Sequence, residues 1–181
     1  MYKDDGSKNK FVIATEDPTL LASWTPLLSA VDSTKVVQTP YIQAPTTEPG
    51  APRTYGGGNE TLGGLEIIIG REPTSFTGAI LQTKQQTIDE LKKFQCETLG
   101  LYLVDEYGRI SGLTDDHDTP TEFYPIPIST LFVGDKMLGG IEAPDKNDVS
   151  WKFYANWSDK LKVVTPTDFN ALSDLKTPAV A

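Results

Sequence analysis

Prolines and glycines crowd into one stretch of this chain, and that crowding constrains the fold more than any other feature. Pro40, Pro45, Pro49 and Pro52 come first, then Gly56-Gly57-Gly58 and Gly63-Gly64, with threonines between. Proline lacks a backbone donor, and glycine weakens the interior of helices and strands. Regular structure is therefore not expected from Pro40 to Gly64. A connection of about 25 residues is long for a compact domain, and most such loops are functional extensions or disordered linkers. Tyr41, Ile42, Arg53 and Tyr55 lie within it. Aromatics and arginine are enriched in partner contacts, whereas a free linker is mostly polar, so these four are the candidate subunit-contact residues. The 15 glycines and 13 prolines of the whole chain argue against a helical bundle, while a hydrophobic share of 38% excludes wholesale disorder.

The loop, residues 40–64, separates an N-terminal arm at 1–39 from a β domain at 65–172 and a tail at 173–181. In the arm, Phe11 to Ala14 predicts a short strand, and Asp17-Pro18 supplies an N-cap with proline at the first helical position. Leu20, Leu21, Trp24, Leu27, Leu28 and Val31 follow at helical spacing. Pro26 interrupts them, which predicts two short helical pieces meeting near Thr25. Val36 and Val37 are β-branched and suit the opening of a strand.

Beyond the loop, Leu65 to Ile69 and Phe76 to Leu81 read as strands. Thr83 with Gln86, and Thr87 with Glu90, fit the capping-box spacing, and Ile88, Leu91 and Phe94 or Gln95 form an apolar stripe, so a helix is predicted from about Lys84 to Gln95. Leu99 to Val104 and Arg109 to Gly112 flank Asp105-Glu106-Tyr107-Gly108, a β-hairpin pattern. Tyr124-Pro125-Ile126-Pro127-Ile128 predicts an edge or irregular strand. Val149, Trp151 and Phe153 alternate with polar neighbours, as a strand with one buried face does. Leu161 to Val164 is expected to pair with that strand across Asn156-Trp157-Ser158-Asp159. The sum is a mainly β (α+β) fold. It is a β-sandwich or small barrel of about six to eight strands with one flanking helix, a long Pro/Gly loop and a partly helical arm.

Charge and motif content narrow the chemistry. The net charge of −9 repels polyanions, so sequence-specific nucleic-acid binding is not expected. The polar start, Met1 to Lys10, and the short apolar run after it do not have the shape of a secretory leader. Apolar stretches fall well short of the roughly 20 residues of a membrane span, which predicts a protein without membrane contact. Cys96 has no partner for a disulfide and reads as a half-buried structural residue. Asp115-Asp116-His117-Asp118 holds the sole histidine, but it lacks the spacing of a calcium loop and the further His or Cys of a zinc site. It reads as a solvated acidic turn, a poor setting for a catalytic base on His117. Gly56-Gly57-Gly58 lacks the following Lys-Ser/Thr of a phosphate loop, and Gly63-Gly64 precedes a strand where a dinucleotide fingerprint requires a helix. No catalytic, cofactor-binding or metal residue is expected, and no enzymatic activity. Among the tryptophans, Trp151 belongs to an apolar stripe, while Trp157 in its turn suits either packing or sugar stacking.

Two segments carry a resemblance. Gly64-Leu65-Glu66-Ile67-Ile68-Ile69-Gly70-Arg71-Glu72-Pro73-Thr74-Ser75-Phe76-Thr77-Gly78, with the helix and the Leu101-Tyr102-Leu103-Val104-Asp105 hairpin after it, resembles structural virion proteins of tailed bacteriophages. Gly140-Ile141-Glu142-Ala143-Pro144, Asn156-Trp157-Ser158-Asp159 and Pro166-Thr167-Asp168-Phe169-Asn170 share that character, and together the segments cover about half the chain. The order of elements is similar to that of the tail-tube family. That resemblance implies a β-sandwich or small barrel with a flanking helix and a long loop reaching a neighbouring subunit, in rings stacked around a channel for DNA. It implies a homo-oligomer meeting other virion proteins, located in the virion after assembly in the host cytoplasm. The strand holding Pro125 and Pro127 departs from a continuous barrel wall, so neck, connector and capsid-associated roles stand beside the tube. A β-sandwich binding module for glycan or protein ligands is the alternative, resting on Trp157 and the tyrosine-bearing loop. A hydrolase or metal-dependent enzyme built on Asp115 to Asp118 is the third reading.

Overall fold

The computed structural model describes residues 2–3 (backbone), 10–31 and 34–176. The remainder of the predicted N-terminal arm and the tail beyond 176 lie outside the described residues. In chain order the elements are β1 (Tyr2–Lys3), β2 (Phe11–Val12), α1 (Leu21–Ser29), β3 (Ile42–Glu48), β4 (Pro52–Gly56), a 3-10 turn (Leu62–Gly64), β5 (Glu66–Arg71), β6 (Thr74–Leu81) and α2 (Gln85–Lys92). They continue as β7 (Leu99–Leu101), β8 (Leu103–Val104), β9 (Ile110–Thr114), β10 (Glu122–Tyr124), β11 (Ile126–Met137), β12 (Lys146–Phe153) and β13 (Leu161–Val164). One sheet has the order β1-β7-β11-β12-β6-β3, a second the order β13-β9-β10-β2 with β8 also beside β9, and β4 with β5 makes a third. Every pairing is antiparallel. The fold is mainly β, consistent with the predicted sandwich or small barrel with a flanking helix, and one sheet curls into half a barrel.

The described residues contain thirteen strands rather than six to eight, for two reasons. First, the two large sheets share strands that switch between them: β7 and β8 are separated only by Tyr102, and β10 and β11 only by Pro125. Pro125 cannot donate to a ladder, and it sits buried at the corner where the chain changes sheets. The proline-rich segment is irregular there, but it is not an edge. β11 lies between β7 and β12, and Pro127 stands opposite Gly100 at the margin of the β12 ladder, which starts at Ile128. Second, the 40–64 stretch is not free of regular structure, since it holds β3, β4 and the 3-10 turn. Gly56, Gly57, Gly63 and Gly64, from the end of β4 through the turn before β5, take the positive φ that favours glycine, with Gly56 at +98° and Gly63 at +75°.

Two cores hold the body. Phe76, Ile80, Leu99, Val149, Trp151 and Phe153 from the six-stranded sheet pack with Ile88 and Leu91 of α2, and the rings of Phe76 and Trp151 stack at 3.8 Å. α2 falls within the predicted helix, but neither capping box forms. Lys84 is the N-cap residue and makes no side-chain cap, while the Thr83 hydroxyl donates to the Leu81 carbonyl. Because the helix ends at Lys92, Cys96 lies past the apolar stripe and is exposed, not half-buried.

The second core joins chain ends to the five-stranded sheet. Phe11, Trp24, Ile110, Phe123, Val164 and Leu175 pack together, and the Trp24 indole N–H donates to the Pro18 carbonyl at 2.9 Å. α1 is one helix, not two pieces. Pro26 removes a single intrahelical bond, and Trp24 and Leu28, buried on either side of it, hold both turns. Nor does Asp17 cap it. That carboxylate accepts from the Thr19 N–H and hydroxyl, and the helix's first N–H, at Leu21, donates to Asp168 from the far end of the chain. β13 also departs from expectation, pairing with β9 (Leu161 opposite Leu113) instead of β12. The turn after β12 carries Asn156 at φ +62° and hands the chain to the other sheet, where Val164 enters the second core.

Candidate functional site

β3 and β6 pair from Ile42 opposite Ile80 to Glu48 opposite Ser75. Between their far ends the chain runs outward as β4, turns through residues 57–65, and returns as β5, paired from Pro52 opposite Arg71 to Gly56 opposite Glu66. The result is a two-stranded ribbon nested inside a hairpin of the six-stranded sheet. Its root is fixed. The Glu72 N–H donates to the Ala51 carbonyl at 2.9 Å, and the Arg71 guanidinium donates to the Asn156 side-chain oxygen at 3.2 Å. Gly50 is required at the root, because a Cβ there would lie 1.8 Å from the Glu72 carbonyl oxygen. At the tip, the Thr61 hydroxyl donates to the Leu65 carbonyl at 2.5 Å.

The ribbon is apolar on both faces. Tyr55 stands opposite Ile67 and Thr54 opposite Ile68. Cross-strand partners share a face and successive residues alternate, so the two pairs lie on opposite faces. Tyr55, Leu65, Ile67, Ile68 and Ile69 are each more than half exposed, and Leu62 at the tip is 97% exposed. An isolated two-stranded hairpin is marginal in water, and a contiguous apolar surface of this kind marks an interaction site. Residues 51–71 carry Arg53, Arg71, Glu60 and Glu66, a balanced charge in a chain of net −9.

Of the four predicted contact residues, Arg53 and Tyr55 stand exposed on β4 beside the β5 isoleucines. Tyr41 and Ile42 sit at the opposite end of β3 from the ribbon, with Ile42 paired to Ile80 near the end of β6. The Tyr41 hydroxyl donates to the Leu172 carbonyl at 3.0 Å, and Ile42 packs on the first core. Leu65 and Ile67 to Ile69 are not among the expected contacts, since Leu65 to Ile69 reads as a strand of the body, and neither is Leu62, which lies in the Pro/Gly stretch. The signal for them is that the three isoleucines are consecutive, whereas a strand with one wet face alternates.

The acidic turn has a structural occupation. Asp115 accepts from the N–H groups of Thr121 and Glu122, each at 3.0 Å, and from the Thr121 hydroxyl. That hydroxyl and those amides hold the Asp115 carboxyl well below the usual carboxylate range. Asp116 accepts from the N–H groups of Asp118 and Thr119, and His117 Nε2 lies 2.9 Å from the Asp159 carbonyl oxygen. Among the described residues no three His, Cys, Asp or Glu side chains are grouped to hold a metal ion. The tryptophans do not share an exposed face: Trp24 and Trp151 are buried, and Trp157 stacks on Phe153 at 4.3 Å. No helix of the described residues is long and apolar enough to cross a membrane.

Comparisons with protein-family models, with curated proteins and with solved structures found no match.

Proposed function

We propose that this chain is a non-enzymatic structural subunit that assembles with copies of itself, in a ring or tube of the kind that conducts DNA in the virion of a tailed phage, and that the β4–β5 ribbon is its assembly arm. The observation that carries the reading is a ribbon with a fixed root and apolar side chains on both faces, left uncovered by its own body. Covering the exposed parts of Tyr55, Leu62 and Ile67 to Ile69 contributes about 1 kcal/mol per side chain. Joining two subunits costs about 4–15 kcal/mol of translational and rotational freedom. A single ribbon therefore holds a pair weakly, and it is the repetition of the contact around a closed ring that makes a stable particle. The acidic balance of the chain suits a conduit, because a negatively charged lumen does not retain DNA through phosphate contacts.

The test replaces residues 52–70 with a short Gly-Ser linker. Light scattering and negative-stain microscopy should show ordered oligomers of the intact protein and a folded monomer of the variant. A compact monomer of the intact protein at high concentration would remove this reading.

A further inference from the structure

Residues 165–176 follow β13 and form neither helix nor strand. Pro166 cannot extend the ladder of β13, and the chain beyond it is tied to residues 19–41 instead. The Leu21 N–H donates to the Asp168 carboxylate at 2.9 Å, and the Thr167 N–H donates to the Thr19 carbonyl at 3.0 Å. The Tyr41 hydroxyl and the Gln38 side-chain amide both donate to the Leu172 carbonyl, at 3.0 and 3.3 Å. Ala171 and Leu175 are buried in the second core, and Phe169 packs against it. The parts of that core differ in what else holds them. β9, β10 and β13 also reach the first core, through Leu113, Tyr124 and Leu161. Among the described residues α1 and β2 contribute nothing to the first core, since Phe11, Trp24 and Leu28 belong to the second. β2 is two residues long and lies at the end of its sheet, whereas β12 is paired along its length with β11 and β6.

We propose that residues 165–176 are a releasable strap, and that its release lets α1 and β2 leave the five-stranded sheet as one unit while the six-stranded sheet and the ribbon stay folded. The anchors of the strap are a few side-chain and backbone hydrogen bonds and two small or aliphatic side chains. A segment tied in this way opens at a lower free energy than the whole domain. The surface beneath it is aromatic, with the Phe11 ring 4.6 Å from that of Trp24 and 6.2 Å from that of Phe123. Release uncovers those rings and parts Tyr41 from the Leu172 carbonyl. The subunit therefore has a second form, changed on the side of α1 and unchanged in the first core and the ribbon. This device is independent of the self-assembly reading.

Native-state hydrogen exchange tests the strap in the full chain, first without any substitution. Amides of α1 and β2 should open together, and on the order of tenfold more often than those of β6 and β12. A single opening shared by α1, β2 and β12 would overturn the proposal. The second measurement uses Asp168→Ala with Leu175→Ser, which removes the cap of α1 and one buried anchor. Exchange in α1 and β2 should rise by a further factor of about ten, while β6 and β12 keep their protection. If the variant leaves α1 as protected as before, the strap is not what holds it. If β12 loses protection as much as α1, or the variant does not fold, the strap belongs to one cooperative unit with the body and the proposal fails. Neither measurement depends on whether the protein assembles.

Discussion

β12 and β5 are both rich in large apolar residues, and they do opposite things with them. In β12, Val149, Trp151 and Phe153 alternate with Ser150 and Lys152, and every apolar member is buried in the first core. In β5, Ile67, Ile68 and Ile69 are consecutive, and all three are exposed. Alternation gives a strand one dry and one wet face, so a single sheet packed on its core satisfies it. A continuous apolar run asks for cover on both faces. Here it is placed on a ribbon with only one neighbouring strand, and the rest of the chain leaves it exposed. Under the proposed self-assembly, the same chemistry serves folding in one strand and association in the other.

The comparison breaks first at its buried half. Trp151→Ala empties the space against Phe76, where the rings are 3.8 Å apart, and should destabilise the body by about 3–5 kcal/mol in urea unfolding. A loss under 1 kcal/mol would show that β12 is not the anchor of the core. At the root between the halves, Gly50→Ala forces a Cβ against the Glu72 carbonyl and should cost about 1–3 kcal/mol. Hydrogen exchange locates that effect: amides of β4 and β5 should lose protection while those of β12 keep it. Equal loss in both strands would mean that ribbon and body are one cooperative unit.

A smaller effect is expected at the corner held by Asp115. Its folded-state carboxyl is held low by the Thr121 hydroxyl and the Glu122 and Thr121 amides. A depressed carboxylate contributes stability that is present above its unfolded value of about 3.9 and is lost as pH falls through the folded value. Melting temperature should therefore decline as the solution is acidified below about pH 4, and Asp115→Asn should flatten that part of the decline. An unchanged acid limb in the variant would mean that these hydrogen bonds do not distinguish the folded from the unfolded state.

The mainly β class, α2, the 105–108 turn and the buried face of β12 were legible in the sequence, because each rests on periodicity or turn chemistry within about ten residues. What was not legible depends on distant partners. Asp168 caps α1 from 147 residues away, and no local pattern announces it. β13 chose β9 over the neighbouring β12 because Val164 is buried in the second core. The ribbon itself was not legible, because proline and glycine density argues against strands; Arg53 and Tyr55, the expected contact types, fall on β4. Strand pairing tolerates such residues where the prolines start a strand or sit at a bulge, as Pro52 and Pro45 do, and the glycines make the turn. The β5 isoleucines were assigned to the body because the sequence does not show which strands a given strand will have beside it.

The smallest expected change in stability carries the most weight for function. Ile67→Ser with Ile68→Ser removes one apolar side chain from each ribbon face. Because both are exposed in the subunit, the monomer's unfolding free energy should change by no more than about 0.5 kcal/mol. Under the proposed assembly, association should fall sharply, since these are the side chains that the contact would cover. The paired readouts separate the two uses of an apolar strand: Trp151→Ala costs stability wherever the subunit is, whereas the serine pair costs only association. If the serine pair lowers the melting temperature of dilute protein as much as it impairs assembly, the ribbon is packed on its own body in solution. Its isoleucines would then be core residues of the same kind as those of β12.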